Sequence, residues 1–383
     1  MHVAEPSILK ILVLTRYGRR GASSRVRFLQ FLTALGTRGM SFSVQPFFDD
    51  EYVSGLYRGE RTRVGKVLAA YFRRFRALLF TRRYDLIWVE KEALPWLPAA
   101  LELAAMRGTP YVVDLDDAWF HRFDQNPSPI IRGLMGGKID AVMRNAAVVV
   151  AGNEYLANRA RLAGAKRIEP IPSAIDFDRY DGVIPDTKRL ECKIPVVIGW
   201  IGTPITVHYL ARFEQAFRAI SAVRSVELRV VGASAPAAFA GLPVRAIPWN
   251  EATEIEAIQS FDIGIMPLDN TEWERGKCAY KLLQVMAAGR PVVASPAGVN
   301  CSVIRDGTNG FLADGTNNWI EALIALIDHP ELRVRIGREA LRTVKDHYTI
   351  ERVLPRLSAV LSEARGGSLS AAIGAGERPR LSA

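Results

Sequence analysis

Cysteine is scarce in this chain, and the few cysteines have no arrangement that suggests a structural or metal-binding role. Cys192, Cys278 and Cys301 form an odd set without disulfide or zinc-ligand spacing. Long hydrophobic runs are also missing, so no segment predicts a membrane span. The short apolar run at residues 8–14 is followed by arginines instead of a cleavage site, which favours a buried strand over a signal peptide. These absences predict a cytoplasmic protein without disulfides.

Several sequence motifs with well-understood chemistry are absent too. The chain has no Gly-x-Ser-x-Gly elbow and no complete phosphate-loop motif. A glycine-rich dinucleotide fingerprint is also missing. The sequence therefore argues against a hydrolase with a serine elbow, a phosphate-loop nucleotidase and a dehydrogenase.

Acidic residues are nearly absent from one strongly basic segment of this chain, whose net charge is +10. Residues 58–83 hold nine Lys and Arg against a single acid, Glu60. Apolar residues recur there at helical spacing, which predicts a basic amphipathic helix. Two interpretations stay open: a surface helix with a solvated basic face, or contact with an anionic membrane surface. Nucleic acid is not an expected partner, because no recognition motif accompanies the charge.

Strand and helix patterns alternate along most of the chain. A helix is predicted over residues 23–35 and another over residues 278–288, each between buried strand patterns. Alternation of this kind is typical of parallel sheets with helices on both faces. The sequence predicts an α/β fold with two doubly wound, Rossmann-like domains, because 383 residues exceed the usual size of one domain.

A proline-punctuated, polar segment at residues 171–195 interrupts the alternation and is predicted to be the interdomain linker. It separates an N-terminal domain, residues 1–180, from a C-terminal domain, residues 190–350. Residues 366–383 lack the composition of a core element and are predicted to be a disordered tail.

The stretch KCAYKLLQVMAAGRPVVAS, residues 277–295, carries the strongest chemical signal. Its helix would stop near Gly289 and lead straight into an apolar strand. Lys277 and Lys281 are four residues apart, which would place both ammonium groups on one side of the first helical turns. Together with the backbone N–H groups of a helix N-terminus, they would suit a diphosphate. A core helix with two solvated lysines fits the same pattern.

The run QVMAAGRPVVAS resembles the donor-site signature of the retaining glycosyltransferases of family four, the group one glycosyltransferases, which have the GT-B architecture. A GT-P turn combined with K-x-x-x-K is similar to one subgroup of that family. The chain departs from the family where relatives commonly carry two glutamates, since Gly276 and Gln284 occupy those places. Glu274 lies two residues before Gly276 and is the nearest substitute.

The resemblance implies two domains that face each other across a cleft, with a C-terminal helix at about 353–365 crossing back to the N-terminal domain. It also implies a nucleotide-diphosphate sugar as co-substrate and no requirement for a metal. The turn at Gly202 and Thr203 is similar in position to the family's phosphate-binding loop. The loop with Gly21, followed by Arg25, resembles the loop that faces the donor sugar and the acceptor. A turn with a purely structural role is the alternative both for the Gly202–Thr203 turn and for the loop with Gly21.

The acidic segment DLDDAWFH follows a strand whose end should open into that cleft. Asp116 and Asp117 stand where many relatives have a histidine, and His121 comes four residues after Asp117. An acid here could accept a hydrogen bond from a sugar hydroxyl. A helix cap and a metal site are the alternatives, although the metal-binding Asp-x-Asp signature belongs to a different glycosyltransferase architecture.

Three functional hypotheses follow. The first is sugar transfer with retention from a nucleotide-diphosphate sugar to a glycan, lipid-linked or small-molecule acceptor, in the cytoplasm or at the inner membrane face. The second is a sugar-nucleotide epimerase of the same architecture, and the third is a non-catalytic binding protein derived from the fold. For the first, the predicted catalytic residues are Lys277, Lys281 and Asp117; the donor-binding residues are Gly21, Gly202, Thr203, Glu274, Gly276 and Gln284; the acceptor-side residues are Arg25, Asp116 and His121; and no metal ligand is predicted.

Overall fold

The computed structural model describes residues 8–61, 63–180 and 195–365, which form two parallel sheets of six strands each. The strand order is β2-β1-β3-β4-β5-β6 in the first sheet and β12-β11-β10-β7-β8-β9 in the second. Every strand pair is parallel, so the predicted α/β fold with two doubly wound domains is confirmed. The strands are β1 Leu9–Tyr17, β2 Met40–Phe48, β3 Leu86–Glu90, β4 Tyr111–Leu115, β5 Val148–Ala151, β6 Ile168–Pro170, β7 Val196–Ile201, β8 Val226–Val231, β9 Val244–Ile247, β10 Ile263–Met266, β11 Val292–Ala294 and β12 Phe311–Leu312.

Helices cover both faces of each sheet, because the crossover between two parallel strands must run over a face. The α-helices that accompany the first sheet are α1 Ala22–Arg27, α2 Leu32–Gly36, α3 Asp50–Tyr57, α4 Val64–Leu79, α5 Ala99–Ala105, α6 His121–Asp124, α7 Pro129–Met135, α8 Lys138–Asn145 and α9 Glu154–Leu162. Those that follow β7 are α10 Glu214–Val223, α11 Glu254–Gln259, α12 Glu272–Arg275, α13 Tyr280–Ala287, α14 Asn300–Val303, α15 Gly315–Asp328, α16 Pro330–His347 and α17 Ile350–Ala364.

The buried cores explain why the central strands read as continuous apolar runs. All five residues of β3 and of β4 are buried, because helices pack against both faces of the first sheet. The second sheet is enclosed in the same way by two clusters of buried residues. Its strand β7 is buried along its whole length. Polar groups therefore collect at the carboxyl ends of the strands, where the chain leaves the core.

The last helix, α17, packs back on the first sheet. Val353, Leu357 and Leu361 join the buried cluster that contains Ile11 of β1 and Val112 of β4. The helix that the family resemblance places at about 353–365 lies within α17. Residues 181–194 of the predicted linker and the predicted tail at 366–383 lie outside the described residues, so the domain limits stay a prediction.

Two of the predicted helices have different limits in the structure. The segment predicted as one helix over 23–35 is two helices, α1 and α2, joined by the 3-10 turn Leu29–Phe31. The helix predicted over 278–288 begins later, because Ala279 has a left-handed φ of 52° at the N-cap of α13. Lys277 is therefore outside the helix, and the prediction that Lys277 and Lys281 share one helical face was wrong.

Within the described residues, no helix is both long and apolar enough to cross a membrane.

Candidate active site between the two sheets

The carboxyl ends of the two sheets face each other across a cleft. Trp119, which follows β4, lies with its ring centroid 6.3 Å from that of Trp273 in α12. The Nζ of Lys277 is 3.9 Å from Asp117 Oδ1, and Arg19 forms an ion pair with Glu251 at 2.9 Å. Ligands of open α/β sheets bind at such strand ends. The predicted site residues belong to both domains and therefore to both walls of this cleft.

On the C-terminal side, Lys281 is fixed against the turn that follows β7. Its Nζ donates to Thr206 Oγ1 at 3.0 Å, and the same oxygen accepts the Thr203 backbone N–H at 3.1 Å. Gly202 begins this turn, and a Cβ there would lie 2.0 Å from the Trp200 ring. Two of the predicted site residues, Lys281 and Thr203, are thus brought together by the hydroxyl of Thr206, which the sequence did not single out.

Burial and the positive charge of Lys277, opposed by the negative charge of Asp117, together lower the pKa of Lys281 to about 7. The charge of Lys277 thus acts on Lys281 even though only Lys281 is helical. Two cations held together in a cleft repel each other until an anion joins them. The arrangement therefore has the charge that a diphosphate would neutralise.

The backbone around Lys277 is held by the opposite domain. Asn153, the N-cap of α9, donates from Nδ2 to the carbonyl oxygens of Lys277 at 3.0 Å and Arg275 at 3.2 Å. Its Oδ1 meanwhile accepts the Leu156 N–H at 2.9 Å. Ala279, two residues after Lys277, has a left-handed φ of 52°, so this loop combines backbone strain with hydrogen bonds from the opposite domain.

Gly276 lies at a point of close contact between the two domains. A Cβ on Gly276 would lie 2.3 Å from the backbone nitrogen of Ala118, in the opposite domain. No side chain fits at that distance, so a glutamate at this position is incompatible with this domain arrangement. The departure from the family pattern is a packing requirement of the closed cleft.

Replacing Gly276 with alanine is expected to hold the domains apart and to lower kcat/KM of the sugar transfer that the family resemblance predicts by about ten- to hundredfold, because a displacement of roughly 1 Å misaligns reacting groups. Small-angle scattering should show a larger radius of gyration for the variant. Gly133→Ala is the matched control, since a Cβ at Gly133 would meet nothing within 4 Å. Unchanged kinetics in Gly276→Ala would contradict the packing argument.

On the N-terminal side, a buried lysine that the sequence reading missed organises the acidic segment. Lys91 follows β3, and its Nζ lies 2.9 Å from Asp116 Oδ1, 3.6 Å from Asp117 Oδ2 and 3.9 Å from Glu90 Oε1. These carboxylates raise the pKa of Lys91 despite its burial. Lys91 has a φ of 63°, a strained conformation for a residue with a Cβ. The signal available in the sequence was a lysine inside a strand end, WVEKE.

The two aspartates differ in their protonation behaviour. Burial opposes ionisation of Asp116, but the attraction of Lys91 outweighs it and lowers the pKa of Asp116. Burial raises the pKa of Asp117, with Asp116 adding repulsion and with Lys91 and Lys277 acting in the opposite direction. Asp116 is therefore the close ion-pair partner of Lys91. Asp117, at longer distances from both lysines, has oxygen capacity for a sugar hydroxyl.

The other predicted carboxylate and amide of the donor site are already bonded within the protein. Glu274 is buried and accepts hydrogen bonds from Tyr209 and Thr271. Gln284 is buried on α13 and hydrogen-bonded to the Tyr180 side chain. Both side chains therefore already have hydrogen-bond partners within the protein. Glu274 bonds to Thr271, three residues before it in the chain.

The predicted acceptor-side residues do not gather at one place. His121 is buried, with Nδ1 2.8 Å from Asp124 Oδ1 and Nε2 2.7 Å from the Tyr155 hydroxyl, so both ring nitrogens are engaged. Only Asp116 of that group adjoins Asp117.

Arg25 lies across the interface against the C-terminal domain. Its guanidinium is 4.9 Å from the Trp249 ring and 3.9 Å from Glu254. A Cβ at Gly21 would lie 2.3 Å from Tyr17 Cβ, so that glycine allows the loop to pass close to β1. These contacts place Arg25 beside the loop that follows β9 in the C-terminal domain, and its acceptor-side role stays a prediction.

Across residues 8–61, 63–180 and 195–365, no three His, Cys, Asp or Glu side chains are grouped closely enough to hold a metal ion. That the reaction needs no metal stays a prediction.

Comparison with known proteins identifies both halves of the cleft. Residues 13–174 match the family model for a glycosyl transferase 4-like domain, and residues 195–329 match the model for glycosyl transferases group 1. A D-inositol 3-phosphate glycosyltransferase of Corynebacterium efficiens is 31% identical over 84 residues, 21% of this chain and 20% of the relative. Spore coat protein SA of Bacillus subtilis is 31% identical over 85 residues, 21% of this chain and 22% of the relative. These alignments span about a fifth of the curated relatives.

Solved structures share the whole architecture at low sequence identity. Anabaena Alr3699/HepE in complex with UDP-glucose has a TM-score of 0.67 at 16% identity, covering 93% of this chain and 100% of that one. Sucrose-phosphate synthase from Thermosynechococcus elongatus has a TM-score of 0.67 at 13% identity, covering 94% and 100%. WaaG, a glycosyltransferase involved in lipopolysaccharide biosynthesis, has a TM-score of 0.67 at 14% identity, covering 92% and 100%. The fold is GT-B.

Proposed function

Because this chain belongs to the group 1 glycosyltransferases, which are transferase enzymes, we propose that it moves a sugar from a nucleotide-diphosphate sugar to an acceptor hydroxyl with retention of configuration. The observation that carries the proposal is the pairing of Lys281 and Lys277 beside the Thr203–Thr206 turn, opposite Asp117. The cations lie on the donor side, where a leaving diphosphate would gain charge, and the carboxylate lies on the sugar side. The acceptor class (glycan, lipid-linked or small molecule) is part of this proposal.

In the proposed reaction, the bond between the anomeric carbon and the diphosphate oxygen breaks with its electron pair staying on the diphosphate. The acceptor oxygen forms its bond on the same face of the sugar, and its proton passes to the departing phosphate oxygen. Lys277 and Lys281 stabilise the developing charge, which positioned cations do strongly in a site that excludes water. Asp117 accepts a hydrogen bond from a sugar hydroxyl and orients the ring. No enzyme nucleophile is needed.

Gln284 is proposed to contact the nucleotide ribose in place of the family's glutamate. Its present partner is the Tyr180 hydroxyl, so ribose binding requires that hydrogen bond to be exchanged or shared. The proposed diphosphate oxygen approaches the turn at Gly202 and Thr203, next to Lys281, and the Thr203 N–H, which now donates to Thr206 Oγ1, is exchanged or shared. No observation in the described structure favours the epimerase or the non-catalytic hypothesis.

A donor screen tests the proposal directly. The chain is mixed with UDP-, GDP- and ADP-linked sugars, bound donors are found by the rise in thermal midpoint, and products are then sought with glycan and lipid acceptors. A product whose anomeric configuration matches that of the donor, read by NMR, supports the proposal. Donor binding without transfer or hydrolysis would favour the binding-protein hypothesis, while epimerised donor would favour the epimerase.

Binding of a diphosphate is expected to draw a proton onto Lys281. The free group has a pKa of about 7, so at roughly pH 8 it is mostly neutral, and an anion at the ammonium raises its pKa. UDP should therefore bind with uptake of nearly one proton at that pH, and its affinity should fall as the pH rises above about 7.

Calorimetry of UDP binding in two buffers of different ionisation enthalpy measures this uptake. Lys281→Met should remove it, and Lys345→Met, which alters an exposed lysine of α16, should leave it unchanged. UDP binding by the unaltered chain without proton uptake would show that Lys281 is not at the diphosphate.

A further inference from the structure

Helix α4 turns a row of large apolar side chains toward solvent. Val64, Leu68, Phe72 and Leu79 are 73%, 64%, 71% and 80% exposed. They are spaced by four, four and seven residues, so they lie along one face of the helix. Phe75, 41% exposed, borders the row. Scattered exposed apolar residues are ordinary, but a continuous row on one helix marks an interaction surface.

The helix cannot rotate to hide this row, because its opposite face is anchored. Arg74 is fully buried and donates to the carbonyl oxygens of Ala93 at 2.9 Å, Thr15 at 2.6 Å and Gln45 at 3.0 Å. Burial lowers the pKa of Arg74 to about 9, so the guanidinium is still protonated near neutral pH. Exposure of the apolar row is therefore fixed by the packing of the domain.

Exposed basic residues occur on the same helix as the row. Arg63, Lys66, Arg73 and Arg76 lie on α4 or at its start, and Arg82 follows it. Lys66 pairs with Glu51 at 3.1 Å. Among the residues that the structure describes, Arg63, Arg76 and Arg82 make no ion pair with a carboxylate. A helix that exposes an apolar row together with basic side chains is complementary to an anionic lipid interface.

We propose that α4 lies in the plane of an anionic membrane surface, with its exposed apolar row inserted at the level of the acyl chains. Its 16 residues extend about 24 Å, which suits a helix lying in the interface. A second copy of this chain is the poorer occupant, because pairing two α4 helices would bring two basic surfaces together.

The position of α4 connects the membrane surface to the cleft. Its inner face contributes Ala70 to a buried cluster with Phe47 and Phe48, against which Tyr17 also packs. Tyr17 ends β1, directly before the glycine loop of the N-terminal wall. A bilayer at α4 would therefore lie beside the acceptor side of the cleft. The lipid-binding surface itself does not depend on the proposed sugar transfer.

Vesicle flotation tests the inference with the full chain. Binding is expected to vesicles of phosphatidylcholine with about 30% phosphatidylglycerol, to be at least tenfold weaker with phosphatidylcholine alone, and to weaken as salt shortens the screening length. Leu68→Ser/Phe72→Ser should lower vesicle affinity at least tenfold, since two large apolar side chains no longer insert. Arg63→Gln/Arg76→Gln should lower it by about fivefold per residue on anionic vesicles only.

Leu162→Ser is the matched control, because Leu162 is 86% exposed on α9 of the same domain and lies outside the row. It should bind vesicles like the unaltered chain. The UDP-induced rise in thermal midpoint should be the same in every variant, which separates failure of membrane binding from failure of the proposed function. Equal vesicle binding by Leu68→Ser/Phe72→Ser and the unaltered chain overturns the inference. The inference is also overturned if the unaltered chain forms a dimer in solution, the Leu68→Ser/Phe72→Ser variant is a monomer, and neither protein binds vesicles.

Discussion

Replacing both Lys277 and Lys281 with alanine is expected to lower kcat/KM for sugar transfer by at least about 10⁴-fold. Each positioned donor or cation that meets developing charge in a buried site contributes roughly 3 kcal/mol, or two orders of magnitude. The two ammonium groups act on the same leaving diphosphate, so their loss should be felt mainly in kcat. Single variants should each lose about 10²- to 10³-fold.

The loss should not come from unfolding. Burial and the neighbouring lysine already lower the pKa of Lys281 to about 7, so removing its ammonium group relieves an unfavourable burial of charge. The thermal midpoint of the double variant should stay close to that of the unaltered chain. Lys166→Ala/Lys345→Ala removes the same total charge from two exposed positions and should retain full activity. Undiminished transfer by Lys277→Ala/Lys281→Ala would refute the proposed role of the lysine pair.

Replacing Asp117 with asparagine is expected to lower kcat by about 100-fold while leaving the affinity for free UDP within roughly threefold, because a hydrogen bond from a hydroxyl to a carboxylate is worth about 1.5–3 kcal/mol. Asp117 lies 3.6 Å from Lys91 Nζ and 3.9 Å from Lys277 Nζ, so it holds neither cation tightly. The amide keeps the shape and loses the charge. Steady-state kinetics together with UDP titration separate the two effects.

Two comparisons control for the Asp117 variant. Asp124→Asn changes an aspartate of α6 that pairs with Arg159 at 2.9 Å, away from the lysine pair, and should alter kcat less than about threefold. Asp116→Asn should instead lower the thermal midpoint, because the buried Lys91 then loses its 2.9 Å partner. If Asp117→Asn keeps full kcat, the carboxylate does not contact the reacting sugar.

Much of the architecture was predictable from local patterns. Alternating strand and helix signals gave the two doubly wound domains, since parallel strands buried on both faces read as continuous apolar runs. The basic segment at residues 58–83 was predicted to be an amphipathic helix, and α4 lies within it. Its spacing did not tell which face would be buried, because apolar residues occur on both sides. The buried hydrogen bonds of Arg74 decide that question.

Element limits were less predictable where backbone conformation depends on distant contacts. The start of α13 was placed too early because a helical apolar pattern runs through Cys278 and Ala279. The left-handed Ala279 is maintained by a loop whose carbonyls accept from Asn153 of the other domain, 124 residues from Lys277. Local propensity cannot register a contact of that kind.

By itself the sequence determined the fold class, the two lysines of the candidate donor site and the basic amphipathic helix, because each can be predicted from the spacing of residues that are close together in the chain. The tertiary structure alone decided that Lys91 organises the acidic segment, that Gly276 is needed for the domains to approach, and that Lys281 meets Thr206. The last pair is 75 residues apart in the chain. Such contacts form only when two sheets bring their strand ends together, and spacing along one segment carries no information about what lies across a cleft.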